Sequence, residues 1–129
     1  MKIAYGLSGE GRGHSMRASA LGTQLIAAGH EITFFTSGDA ELPLTEKFGA
    51  QRIEFLPTPK FHLVDGKLNV FNTSIDFVKF MSRERRRILA LSDILVDGKY
   101  DIVISDYEPL LSRAAINANI PILAFNSQN

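Results

Sequence analysis

The sequence predicts an α/β domain on a mostly parallel sheet of about five strands, in the order 3-2-1-4-5, with a β-hairpin insertion. Three observations carry this expectation. Short apolar runs alternate with segments of helical periodicity along the chain. The first run, Ile3 to Leu7, has no polar alternation, as in a strand buried on both faces. The break after it, at Ser8-Gly9, opens directly into a helical pattern. At 129 residues and 14.3 kDa the chain fits one domain. Folding at this size buries about two thirds of the extended chain's surface, enough for a real core.

Taken in order, the first helix starts at Ser15, with Arg17, Leu21, Leu25 and Ala28 on one side and Gly29 placed to end it. Ile32 to Phe35 is strand two. Asp39 to Phe48 reads as a helix interrupted at Pro43, and Arg52 to Phe55 as a third strand before Pro57 and Pro59. Asp65-Gly66 is a two-residue hairpin signal. Pairing outward from it sets Leu63 opposite Leu68 and Phe61 opposite Val70 on one face, with His62 and Asn69 on the other. A long helix enters at Asn72, Thr73 or Ser74 and ends near Asp97-Gly98. Ile102 to Ser105 is another buried strand, Tyr107 to Asn117 a helix, and Pro121 to Phe125 the last strand. In such a sheet ligands bind beyond the carboxyl ends of the strands where the order reverses, here between strands one and four.

Composition narrows the classes of function. With 45% hydrophobic and 22% charged residues, and Lys+Arg 14 against Asp+Glu 14, the chain is an ordinary globular domain. A formal net charge of +0 provides no field for a polyanion, so no nucleic-acid partner is expected. The absence of Cys excludes disulfides, thiolate metal sites and a Cys nucleophile. The opening apolar run is too short for a signal-peptide core, and no run approaches ~18 apolar residues, so a cytoplasmic location is expected.

The loop after strand one, Ser8-Gly9-Glu10-Gly11-Arg12-Gly13-His14, brings backbone close to a ligand and exposes helix-start amides suited to phosphate or carboxylate. It is not a dinucleotide fingerprint. The third glycine position of G-x-G-x-x-G falls on His14 in one register and Met16 in the other, strand two ends without an acidic residue, and G-x-x-x-x-G-K-[ST] is absent. His14 either caps and packs the helix start or acts as a general base. Asp106, at the end of strand four, either caps the following helix or holds the ring of that base.

These residues resemble a family. Gly9-Glu10-Gly11-Arg12-Gly13-His14 with Arg17, then Gly29 to Phe34, then Asp101 to Pro109 with Asp106 inside it, are similar to the Rossmann-like N-terminal domain of GT-B fold glycosyltransferases. The nearest look-alikes are relatives of the peptidoglycan N-acetylglucosaminyltransferase and proteins labelled as teichoic acid biosynthesis proteins. The similarity spans the whole chain; the family's G-G-T-G-G-H aligns with residues 9 to 14, where Glu10, Gly11 and Arg12 differ from it.

The resemblance implies inverting transfer of a sugar from a nucleotide-sugar donor of the UDP-linked kind to a hydroxyl acceptor of the cell-wall or lipid-linked glycan class. It implies His14 as base, Asp106 as its carboxylate partner, and no cofactor or metal. The acceptor, a small molecule or a lipid-linked one, is bound mainly by this domain. The donor is bound by a C-terminal domain expected to be absent from this chain, so the chain alone is expected to be inactive. The hairpin is expected to stand as a flap over the acceptor side.

Arg12 and Arg17 either meet a phosphate or are solvated. Asn126, Ser127 and Gln128 either bind acceptor hydroxyls or form a polar turn. On the long helix, Phe77, Phe80, Glu84, Ile88, Leu91 and Leu95 share a stripe. Arg83, Arg86 and Arg87 flank it, as a solvated edge with Glu84 paired to Arg87 or as a peripheral contact with anionic lipid. Two other functions fit the pattern: half of a GT-B nucleotide-sugar epimerase, whose G-T-R-P-E is not found here, and a non-catalytic module binding an anion or sugar.

Overall fold

The computed structural model describes residues 1–7, 12–36, 40–56, 63–64, 67–68 and 70–125. Along the chain lie β1 (Lys2–Leu7), α1 (Arg12–Ala27), β2 (Glu31–Thr36), α2 (Glu41–Phe48) and β3 (Ile53–Phe55). Two short strands, β4 (Leu63–Val64) and β5 (Lys67–Leu68), precede α3 (Val70–Asp97), β6 (Ile102–Asp106), α4 (Pro109–Asn117) and β7 (Ile122–Phe125). The main sheet has five strands, all pairings parallel, in the order β3-β2-β1-β6-β7. That is the predicted 3-2-1-4-5 once the hairpin strands are counted. The hairpin itself pairs Leu63 with Leu68, as the Asp65-Gly66 signal requires.

Alternation along the strands divides the core in two. Ala4, Phe35 and Val103 meet Leu91 and Leu95 of α3 and Leu110, Leu111 and Ala114 of α4 on one face. On the other, Tyr5, Leu7, Ile32, Phe34 and Ile104 meet Ala18 of α1 and Leu44 of α2. The Phe34 ring packs between Tyr5, 5.7 Å away, and Phe48, 4.8 Å away. Each fully buried side chain of this size contributes about 1.5–3 kcal/mol. Gly29 has φ +93 and ends α1, with its amide and that of His30 reaching Ile26 and Leu25 carbonyls.

Several boundaries differ from the sequence expectation. The first helix begins at Arg12, not Ser15, so His14 stands within it. Pro43 does not interrupt α2, because as third residue it occupies a position whose N–H has no partner inside a helix. Val70, expected in the hairpin, opens α3. Tyr107 does not begin α4: it adopts φ +57, and the helix starts at Pro109, a residue preset for a first turn. Glu84 pairs not with Arg87 but with Arg113 of α4, at 3.1 Å, which ties this part of α3 to its neighbour. Arg83, Arg85 and Arg86 are exposed. Phe61, His62, the Asp65-Gly66 turn and Asn69 lie outside the described residues, and with them the question of a flap.

Candidate active site

Leu7 and Asp106 are register partners at the carboxyl ends of β1 and β6. The strand order reverses between these two neighbours, since the chain runs from β1 outward to β2 and β3 and then crosses to β6. Asp106 shares the sheet face of Ile104, two residues before it, and that face is covered by α1. Its carboxylate is fully buried. A buried charge persists only with partners, and among the described residues three donors converge on it.

The first two come from α1. His14 Nδ1 lies 3.0 Å from Oδ1, and Arg17 Nη1 donates to the same oxygen at 3.2 Å. Residues three apart are neighbours on one helix face, so both reach one carboxylate only if the helix already runs at His14. The third donor is the Tyr5 hydroxyl, 3.2 Å from Oδ2. Burial first, then the charge and hydrogen bond of Asp106, push the Tyr5 phenol far above its ordinary range, with Arg17 opposing. Tyr5 is therefore a fixed donor. Because a carboxylate only accepts, Nδ1 of a neutral His14 carries the hydrogen, and the lone pair resides on Nε2.

Two aromatic rings complete the surroundings. Tyr107 stands edge-on to His14 with ring centroids 5.3 Å apart, and Arg17 lies over Phe125 at 5.8 Å. The left-handed backbone at Tyr107 is strained for a bulky residue, at a cost of about 1–3 kcal/mol. It turns the chain between β6 and α4.

Asp106 does not cap α4. Its oxygens are taken by Tyr5, His14 and Arg17, and Glu108 performs the capping instead, accepting from the Leu111 amide at 2.6 Å. Burial raises the Glu108 carboxyl above its usual range, opposed by the amides of Leu111 and Leu110; nearby Glu84 adds to the rise and Arg113 opposes it.

Of the residues singled out by sequence, His14, Arg17 and Asp106 are thus brought together. Gly13 lies exposed on α1, where an added Cβ would meet nothing within 4 Å. Arg12 is described by its backbone only, and Ser8, Gly9, Glu10, Gly11, Asn126, Ser127 and Gln128 lie outside the described residues. Among the described residues no group of three His, Asp or Glu is placed to hold a metal ion, and no helix is long and apolar enough to cross a membrane. Sequence reasoning missed Tyr5 and Tyr107. A signal for Tyr5 existed: a phenol inside an apolar strand buried on both faces requires an acceptor. For Tyr107 no local signal exists.

An uncharacterized glycosyltransferase of Methanosarcina mazei is 39% identical over 133 residues, covering 100% of this chain and 34% of that protein. The chain therefore spans about a third of the length of the curated relatives it matches. Among solved structures, MurG of Acinetobacter baumannii superposes with TM-score 0.64 at 17% identity, over 96% of this chain and 34% of that one. The UDP-GlcNAc 2-epimerase of Methanocaldococcus jannaschii superposes with TM-score 0.58 at 15% identity, over 96% of this chain and 31% of that one. Transferase and epimerase alike share the fold, so the likeness speaks for architecture alone. The sequence pattern described as Glycosyl transferase family 1 matches residues 1–129 throughout, and the chain belongs to that family.

Proposed function

We propose that this chain is the acceptor-side half of an inverting glycosyltransferase, with His14 as general base and Asp106 as the residue that orients it. The observation that supports this reading is the 3.0 Å contact between His14 Nδ1 and Asp106 Oδ1 at the strand-order reversal. An acceptor hydroxyl is a poor nucleophile, and the free ring nitrogen of a neutral imidazole is suited to take its proton. In the step, the acceptor oxygen attacks the anomeric carbon as its proton passes to His14 Nε2. The bond from that carbon to the diphosphate breaks, and the nucleoside diphosphate leaves with the electron pair. Asp106 stabilises the imidazolium so formed, and Tyr5 keeps Oδ2 of Asp106 in place.

The donor is a UDP-linked sugar held mainly by a second domain, and the acceptor is a hydroxyl of the cell-wall or lipid-linked glycan class. One half supplies one wall of such a cleft, so this chain alone is inactive and binds nucleotide sugars weakly. The test is product analysis with the longer protein, a UDP-sugar panel and hydroxyl acceptors. A glycoside of inverted anomeric configuration is expected. A free epimerised sugar would replace transfer by epimerisation, and micromolar calorimetric binding of a UDP-sugar to this chain alone would overturn the division into halves.

A further inference from the structure

Asp106 is fully buried, and one of its oxygens, Oδ1, serves both His14 Nδ1 at 3.0 Å and Arg17 Nη1 at 3.2 Å. A carboxylate in that position needs one compensating positive charge. While His14 is neutral, the charge is the Arg17 guanidinium. Once His14 has taken a proton, its ring is a second cation on the same oxygen, and the two repel each other. One of them is then redundant. Arg17 is the one able to leave: its side chain is 39% exposed against 24% for His14, its stem is long, and the Phe125 ring lies beneath the guanidinium at 5.8 Å.

We propose that Arg17 and the protonated His14 ring are alternative counter-ions of Asp106, and that a phosphate group of the substrate exchanges one for the other by drawing Arg17 off the carboxylate. The inference rests on the reading of His14 as base and adds to it a ligand-triggered control. Before binding, Arg17 neutralises Asp106; with Arg17 drawn to the phosphate the uncompensated carboxylate favours proton uptake by the still neutral His14, and during transfer the imidazolium so formed neutralises Asp106. Among the described residues, the titratable and charged groups facing the carboxylate are Tyr5 of β1, His14 and Arg17 of α1, and, edge-on to His14, Tyr107 after β6. Tyr5 stays protonated and on Oδ2 throughout, so the exchange takes place on Oδ1 alone.

The trigger chemistry, a phosphate, is common to a nucleoside diphosphate and to a phosphorylated acceptor. An NMR titration of this chain with UDP, glycerol 1-phosphate and inorganic phosphate, against sodium chloride at equal ionic strength, separates the sources. Binding of about millimolar strength is expected from one released guanidinium. Tighter binding of UDP assigns the trigger to the donor, and tighter binding of glycerol 1-phosphate to the acceptor. At saturation the Arg17 guanidinium and His14 ring resonances shift together. Arg17→Gln weakens binding about tenfold, whereas Asp106→Asn, which removes the competitor for Arg17, tightens it about threefold. A merely structural Asp106 predicts the opposite sign.

Absence of binding by all three ligands, Arg17 resonances that do not move at saturation, or equal binding by Arg17→Gln would each overturn the exchange. So would a folded Asp106→Asn that binds no tighter; where that variant does not fold, the Arg17 resonances of the unaltered chain decide. None of these readings depends on turnover. A failed exchange therefore leaves the base intact, while His14-independent activity of the longer protein would remove the base and leave the anion site.

Discussion

The Tyr5 hydroxyl and the Asp106 carboxylate, 101 positions apart in sequence, meet at 3.2 Å beneath the site. Tyr5 is at once a core residue packed on Phe34 and the fixed donor to the group that orients His14. Core and candidate site therefore share one side chain. Tyr5→Phe keeps the ring and removes the donor that Oδ2 of the buried carboxylate has among the described residues. A loss of about 1–3 kcal/mol is expected in urea denaturation.

The same pair sets an alkaline limit. Burial and the Asp106 charge raise the Tyr5 phenol above its unfolded value, so the folded chain keeps a proton that the unfolded chain loses above about pH 10. Stability from this group is complete below that pH and declines as pH rises through the window above it. Denaturation midpoints of Tyr5→Phe, measured from pH 8 to about 11.5, should fall less steeply than those of the unaltered chain; parallel slopes would remove the assignment.

Glu108 behaves in the opposite way to a paired carboxylate. Burial raises it, so above the unfolded value near pH 4 its ionisation costs stability, even though the side chain accepts from Leu111. Glu108→Gln keeps an acceptor without the charge and is expected to be the more stable at pH 7, with the gain vanishing below about pH 4. Glu108→Ala loses the cap and about 1 kcal/mol at pH 7. Thermal melts of both variants at the two pH values check the pair of signs.

Gly6 sits where α4 crosses β1. An added Cβ would lie 2.7 Å from Leu111 Cδ2 and 3.2 Å from Leu111 Cβ, and Leu111 is fully buried. Gly6→Ala is expected to cost about 1–3 kcal/mol through overpacking. Urea midpoints for Gly6→Ala alone and combined with Leu111→Ala test the cause, since truncating Leu111 should make the Gly6 change nearly neutral.

Much of this fold is legible in the sequence, because each strand buried on both faces leaves an unbroken apolar run such as Ile3 to Leu7, and the Asp65-Gly66 pair sets the register of Leu63 on Leu68. What escapes it is decided at a distance. His14, in the first turn of α1, meets a carboxylate 92 positions away, and Glu108 is the cap of α4 because that helix starts at Pro109. The partner of Glu84 is not Arg87 on its own helix but Arg113 on another. The His14 and Asp106 pair was legible through strand order, as the segments that follow neighbouring parallel strands leave the same edge of the sheet. Tyr5 required asking what a phenol does inside an apolar strand.

The central claim is that His14, held by Asp106, takes the acceptor proton. Steady-state kinetics of the longer protein bearing His14→Gln or Asp106→Asn, with the fold of each variant checked by circular dichroism, test it most directly. The account predicts that His14→Gln lowers kcat by about 10²–10⁴-fold at nearly unchanged donor KM, with a smaller loss for Asp106→Asn. A folded His14→Gln protein that retains wild-type kcat would contradict it.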